Sequence, residues 1–308
     1  MKLIAKSCKI TDFPNEELII NIFLRPEFIQ LLTTHFGYDV KYLYVKNAQL
    51  DEVVAVTILI EKRKFGIPYL IIPQFLYYQP IEIFTAPRKN SNENQLQDIE
   101  IYREIAAYFS KYFFQINMNL PPEISDIRGF TWNGLKAKPL YTYRFTLNDY
   151  SCDNFFRKQR ASLRKAQNLN YYFNQEINID RYFELVKATR ERQKWNFRIK
   201  DEKLASYIAD LLELGLIKQF NICSPEGIIV STMFCQLDKP NKTAYAWLTT
   251  TDINELSNGV STLLFHSINE YFKQEYEVFD LCGANTDTIA RFKASLGAEL
   301  KVFYNIQF

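Results

Sequence analysis

Apolar residues recur along this chain in two periods that take turns, one near two residues and one near four, and together they predict an α/β protein. After a short strand-like start, the spacing predicts a helix over Glu27–His35. The β-branched run Val53–Ile60 and the shorter Tyr69–Ile72 read as strands joined by a hairpin-type turn at Lys62-Arg-Lys-Phe-Gly66. The polar run from Ala86 to Gln97, with Pro87, Ser91 and several Asn, reads as a surface loop. Ile99, Ile101, Ile105, Tyr108 and Phe109 then fall at helical spacing, in a helix ending near Tyr112. Phe114–Met118 reads as a strand, broken by Leu120-Pro-Pro-Glu123.

The second half repeats that order in outline. A basic helix is predicted over Cys152–Asn168, then a strand at Tyr171–Gln175, then helices over Ile179–Gln193 and Asp201–Leu214, with Gly215 as the stop. Ile217–Cys223 and Ile228–Gln236 form a hairpin around Ser224-Pro-Glu-Gly227, and Thr243–Thr249 is a further strand. A helix over Val260–Gln274, a strand at Val278–Cys282, a helix over Thr286–Leu296 and a closing strand complete the chain. The closing strand is expected to alternate, with Leu300, Val302, Tyr304, Ile306 and Phe308 on one side and Lys301, Asn305 and Gln307 on the other. No residue-level repeat links the halves, so a duplication is a topological expectation, with its boundary in the segment Trp132–Leu147.

Composition narrows the class. At 308 residues the chain can form one large domain or two of about 150. The 25 Phe and 20 Tyr point to aromatic-lined cores and clefts. A formal net charge of +2 gives no whole-molecule pull towards nucleic acid or an anionic membrane, so any such contact must come from a local patch, and DNA is not an expected partner. The first eight residues lack the apolar core of a secretory signal, and no run approaches the ~18 apolar residues of a spanning helix. Five scattered cysteines (Cys8, Cys152, Cys223, Cys235, Cys282) suit reduced, mostly buried thiols in a cytoplasmic protein. Two histidines and no Cys-x-x-Cys leave no zinc site at familiar spacing, so no metal is expected. His266, in an apolar helical segment, reads as a packed or helix-surface residue.

Three features remain as candidate chemistry. Glycine is scarce, so Gly259 in Ser257-Asn-Gly-Val-Ser-Thr262 marks a special position between a strand and a helix. Such a loop can hold a phosphate on exposed amides, or Ser257 or Asn258 can simply cap the helix. Gly283 follows the strand Val278–Cys282 and is a weaker signal of the same kind. Arg157, Arg160 and Arg164 share one helix face, with Lys158 and Lys165 alongside and no acid between Asp153 and Glu176. The face is either a phosphate clamp or a solvated basic surface. Lys293, in the helix that ends at Gly297, can offer positive charge to a developing oxyanion.

These features fall in an order that resembles a known family. Arg160-Ala-Ser-Leu-Arg-Lys-Ala166 is similar to an Arg-x-x-Ile-Arg-Lys-Ala helix, Phe279-Asp-Leu-Cys-Gly283 follows it, and Arg291-Phe-Lys-x-x-Leu-Gly297 is similar to a Phe-Lys-x-x-Phe-Gly segment. Over the whole chain, and most clearly from Tyr143 to Tyr304, it resembles the two-domain GNAT-type acyltransferases of the FemABX-like class. The resemblance implies two tandem GNAT-type (acyl-CoA N-acyltransferase) α/β domains, residues 1–140 supplying an acceptor groove and residues 141–308 the donor site and catalysis. It implies transfer of an acyl group from an acyl-CoA co-substrate to a primary amine on a small-molecule, peptide or sugar acceptor, in cell-wall or polysaccharide synthesis. Asn258, Gly259, Ser261 and Thr262 would contact the donor, with Trp247 and Leu248 from the preceding strand. The Phe292 carbonyl and Lys293 ammonium would flank the transferred carbonyl, across a crevice from the 257–262 turn, while Arg160, Arg164 and Lys165 would line a phosphate-binding cleft. The loop before Val260 lacks the fuller Arg/Gln-x-x-Gly-x-Gly/Ala pattern, which leaves the donor open between acyl-CoA and charged tRNA, the latter implying a peptidoglycan precursor as acceptor. No general base can be assigned; Asp252, Glu255 and Asp280 are candidates by position. A long helical hairpin arm is absent from the sequence. A binding or scaffold protein that kept the fold without the chemistry is the alternative from another class.

Overall fold

The structure, a computed structural model, describes residues 2–73, 76–85, 90–193 and 199–308. The chain divides into two compact units, Met1–Leu140 with Val302–Phe308, and Tyr141–Lys301. The division falls inside a strand.

Unit 1 runs β1 (Leu3–Cys8), α1 (Pro26–Phe36), β2 (Asp39–Asn47), β3 (Glu52–Lys64), β4 (Ile67–Leu70), β5 (Ile81–Ile83), α2 (Ser91–Tyr112), β6 (Gln115–Asn119) and α3 (Arg128–Thr131), then enters β7 (Lys136–Thr146). β1, β2 and β3 are antiparallel, β3 also pairs with β4 and β5, and β4 lies parallel to β6. Pro26 opens α1 where its missing N–H costs nothing, and Gly37 ends it at φ 64°. β2 escapes a periodicity reading because both its faces are covered. Val40, Tyr42, Leu43 and Val45 are all buried, so the alternation is erased. The polar run predicted as a loop is a correction. Residues 86–89 lie outside the described residues, but Ser91–Gln97 open α2. Asn90 caps that helix by accepting from the Asn92 amide at 2.9 Å, so the polar residues form a capped helix start.

Unit 2 takes up β7 and continues with α4 (Arg157–Asn168), β8 (Tyr172–Asn174), α5 (Ile179–Gln193), α6 (Asp201–Glu213), β9 (Ile217–Cys223), β10 (Ile229–Asp238), β11 (Thr243–Thr251), α7 (Val260–Phe272), β12 (Val278–Asp280), α8 (Asp287–Ser295) and the start of β13 (Glu299–Gln307), whose residues from Val302 on belong to unit 1. Its strands run in the order β8-β9-β10-β11-β12-β7. All pairings are antiparallel except β11 with β12, which α7 joins as a crossover. α4 and α7 cover one face, where Leu163, Val260, Leu264, Ile268 and Phe272 pack with Phe220, Met233 and Phe279. Phe234, next to Met233 and so on the other face, meets Tyr182 of α5 with ring centres 5.2 Å apart. α4 starts at Arg157, later than predicted, because Cys152–Asn154 forms a separate 3₁₀ turn capped by Ser151.

β13 corrects a second expectation. Its buried residues are Phe303 and Ile306, while Leu300, Val302 and Phe308 are exposed. Phe303, absent from the predicted apolar face, packs edge-on against Tyr77 and Tyr78 at 5.7 and 5.2 Å. Ile306 pairs with Met118 of β6, which ties the last residues to unit 1. Tertiary contacts, not the two-residue period, decide which side chains are covered. All five cysteines are free thiols, and only Cys223 and Cys235 are fully buried. Among the described residues no helix is long and apolar enough to cross a membrane.

Candidate functional site

The parallel pair β11–β12 is short, and its shortness makes room. Thr243, Ala244 and Tyr245 pair with Val278, Phe279 and Asp280, and there the pairing stops. β11 runs on to Thr251 while the other chain turns away through Cys282 and Gly283, at φ 50° and 68°. A cavity of about 440 Å³ fills the gap. Ala246, Trp247 and Thr249 wall it on one side and Leu281 and Cys282 on the other, with Ser261 and Phe265 of α7 and Ile289, Phe292 and Lys293 of α8 closing it. Strand ends that separate at their carboxyl side are the general position for ligands in open α/β sheets. A β-bulge re-aims the wall. Phe234 pairs with Leu248 and Cys235 with Ala246, so Trp247 is the extra residue.

Lys293 is buried in this wall. Its Nζ donates to the carbonyl oxygens of Leu281, Cys282 and Gly283 at 2.5, 2.7 and 2.6 Å. An ammonium has three protons, and all three are used. Burial holds its pKa below the ordinary 10.5, partly countered by the Asp280 carboxylate. Asp280 anchors the same turn from the other side. Its Oδ1 accepts from Thr142 Oγ1 at 2.6 Å and from the Cys282 amide at 2.8 Å, and its Oδ2 from Arg144 Nε at 2.6 Å. Burial pushes the Cys282 thiol well above its ordinary value, so it stands as a neutral wall group.

No protein-family model and no curated protein matches the sequence. Solved structures do match. FemX aligns at TM-score 0.67 and 14% identity over 97% of this chain and 96% of its own. The C-terminal domain of a putative lysylphosphatidylglycerol synthetase from Agrobacterium fabrum aligns at 0.56 and 12%, over 90% and 86%. A tandem GNAT protein from the clavulanic acid biosynthesis pathway aligns at 0.53 and 12%, over 99% and 98%. The chain has the tandem GNAT-type fold.

Within this GNAT-type unit 2 the predicted site residues divide into two groups. Trp247, Ser261, Phe292 and Lys293 come together around the cavity. Asn258, Gly259, Thr262, Arg160 and Lys165 instead serve contacts within the fold beside the cavity. A Cβ on Gly259 would lie inside the Ser162 carbonyl oxygen and 2.7 Å from its carbon, so glycine is what lets α7 meet α4. Asn258 donates to Glu255 at 2.8 Å and to the Tyr171 hydroxyl at 3.0 Å. It does not cap α7, whose first turn carries no side-chain cap, nor does Ser257. Thr262 Oγ1 donates to Gln159, Gln159 to Ser295 Oγ, and Ser295 to the Phe292 carbonyl, at 2.7, 2.9 and 2.6 Å, a relay joining three helices. Lys165 holds the Ser257 carbonyl at 2.9 Å. Arg160 turns inward to the carbonyls of Asp153 and Phe155. Arg164 is exposed, and Leu248 is buried beside the bulge.

None of the carboxylates offered as a base lines the cavity. Asp252 accepts from the Asn254 amide, Glu255 is held by Tyr171 and Asn258, and Asp280 is enclosed as above. Phe265 and Cys282 were missed as wall residues. Cys282 lies inside the Phe279–Gly283 motif, but Phe265 on an apolar helix face carries no signal that separates wall from core. Among the described residues no cluster of His, Cys, Asp or Glu is placed to hold a metal.

His266 lies elsewhere, on a shallow depression with Phe173 and Tyr271. Its Nδ1 shares a 2.9 Å hydrogen bond with the Tyr150 hydroxyl, and burial lowers its pKa below 6.5. Between the folded value and 6.5 the unfolded chain binds the extra proton, so stability falls as pH is lowered through that window. His266→Gln is expected to flatten this slope in urea midpoints taken at pH about 5 and about 7. Identical slopes in the two proteins would remove the histidine from the account.

Proposed function

We propose that the chain is an N-acyltransferase that moves an acyl group from a coenzyme A thioester to a primary amine, with the donor seated in the unit 2 cavity. The observation that carries this reading is the cavity itself, opened between β11 and β12, with a helix start and a buried ammonium in its wall. The rings of Trp247, Phe265 and Phe292 suit an apolar pantetheine arm and acyl group. The first amides of α7, beside Ser261, suit the donor's phosphate end. The amine nitrogen attacks the thioester carbonyl carbon, the C–N bond forms, the C–S bond breaks, and the amine proton leaves for the departing thiolate or water. Most of the acceleration comes from holding amine and thioester together. Lys293 adds a fixed positive charge near the developing oxyanion, acting through the field since its protons hold the 281–283 carbonyls.

Acetyl-CoA is expected to raise the thermal midpoint by mass action, by an amount worth about 2.7 kcal/mol at a hundredfold excess over its dissociation constant. Ser261→Tyr, which places a ring in the cavity beside the start of α7, is expected to weaken that binding about tenfold or more. A charged tRNA as donor is the second reading, and the exposed Arg157, Lys158 and Arg164 on α4 favour it. Transfer of label from charged tRNA but not from acetyl-CoA selects it. Stability unmoved by either donor leaves a binding or scaffold protein and removes the transferase proposal.

A further inference from the structure

The hairpin between β3 and β4 exposes more apolar surface than a turn requires. Lys64 pairs with Ile67 across a two-residue turn, Phe65-Gly66, at φ 52° and 79°. Two left-handed residues in succession suit Asn-Gly or Asp-Gly. Gly66 fits without strain, but Phe65 carries a Cβ into a region that L side chains avoid. Burial recovers none of this cost, since Phe65 is 93% exposed. Strain held at an exposed aromatic residue points to a use outside the fold.

The ladder completes a patch around it. Register places Lys62 opposite Tyr69 and Lys64 opposite Ile67, with Gln115 of β6 beside Tyr69, all on one face. Phe114, 66% exposed, sets its ring edge-on to Tyr69 at 6.0 Å. The Lys64 ammonium lies 5.8 Å from the Phe65 ring centre. No carboxylate occupies these ladder positions. Glu61 and Arg63 point to the other face, where they pair at 2.6 Å.

We propose that this face of unit 1 docks on an anionic phospholipid surface. Phe65 and Phe114 enter the boundary between headgroups and acyl chains, and Lys62 and Lys64 lie against the lipid phosphates. Long lysine stems beside exposed rings keep their charge wet while apolar bodies are buried a few ångströms deep. The centre of a protein interface is by contrast depleted of lysine. With a net charge of only +2 the attraction is local, so the docking is reversible. This inference stands apart from the transfer chemistry proposed for unit 2.

The test is co-sedimentation of the whole chain with vesicles of phosphatidylcholine alone or mixed with phosphatidylserine. Binding is expected to the mixed vesicles only, and to weaken as salt is raised. Lys62→Gln with Lys64→Gln is expected to lower partitioning by about 25-fold, roughly fivefold for each charge removed. Phe65→Asn is the sharper probe, because asparagine tolerates the left-handed turn. Its thermal midpoint should equal or exceed that of the natural chain while its partitioning falls about tenfold. Equal binding to both vesicle types, binding to neither, or unchanged partitioning in the variants overturns the proposal. So does a concentration-dependent dimer that Phe65→Asn dissolves without any vesicle binding, which would assign the face to a second copy of the chain.

Discussion

Gly259→Ala is expected to remove about 2–5 kcal/mol of folding free energy from unit 2. Two separate penalties add. At φ 83° a Cβ is disfavoured whatever its surroundings. The new methyl would also overlap the Ser162 carbonyl oxygen, a backbone atom that no rotamer change can withdraw. Relief requires α4 and α7 to part, which strains the Lys165 contact to Ser257 and the Thr262–Gln159 hydrogen bond. Because the chain has two units that need not unfold together, the measurement should be local. Hydrogen exchange in α4 and α7 should accelerate while α2 is unchanged. Ser162→Gly should not rescue the variant, since the clash is with backbone. Exchange at the natural rate in α4 and α7 would mean that the close approach is not what glycine serves.

That expectation differs from what Gly259 implied as sequence. A scarce glycine between strand and helix is legible as a position where only glycine fits. Whether a phosphate or another backbone comes close is decided by a helix nearly a hundred residues earlier, which periodicity cannot place. Gly297 repeats the lesson, since its Cβ would stand 2.6 Å from the Asn154 carbonyl oxygen. The motifs around Arg160, Gly259 and Phe292–Gly297 therefore mark one framework. They are near each other because they pack together, and the cavity stands at the edge of that packing. An element with one covered face, such as α7, showed its period. β2, covered on both faces, and the opening of α2, polar because it is capped, did not. Trp247 sits in the cavity wall because of a one-residue bulge, and nothing in a run of Ala, Tyr and Thr announces an added residue.

Lys293→Met should lower both turnover and stability, and the pH dependence separates the two effects. Methionine keeps most of the side-chain volume but removes three donors, leaving the 281–283 carbonyls short of partners at a cost of about 2–4 kcal/mol in total. Turnover is expected to fall more than tenfold, because a positive charge in a cavity of low polarity is lost from beside the oxyanion. A merely looser strand end could also slow the reaction, but it would not change the shape of the rate profile. In the proposed transfer the acceptor amine must be neutral to attack, which gives a limb that rises with pH. In its proposed role Lys293 must stay charged, which gives a limb that falls as pH passes its folded pKa. Since burial holds that pKa below 10.5, the fall should begin at lower pH than an exposed lysine would allow. Lys293→Met should keep the rising limb and lose the falling one, with donor affinity little changed. If the falling limb persists in the variant, it belongs to another group, and the ammonium serves the fold alone.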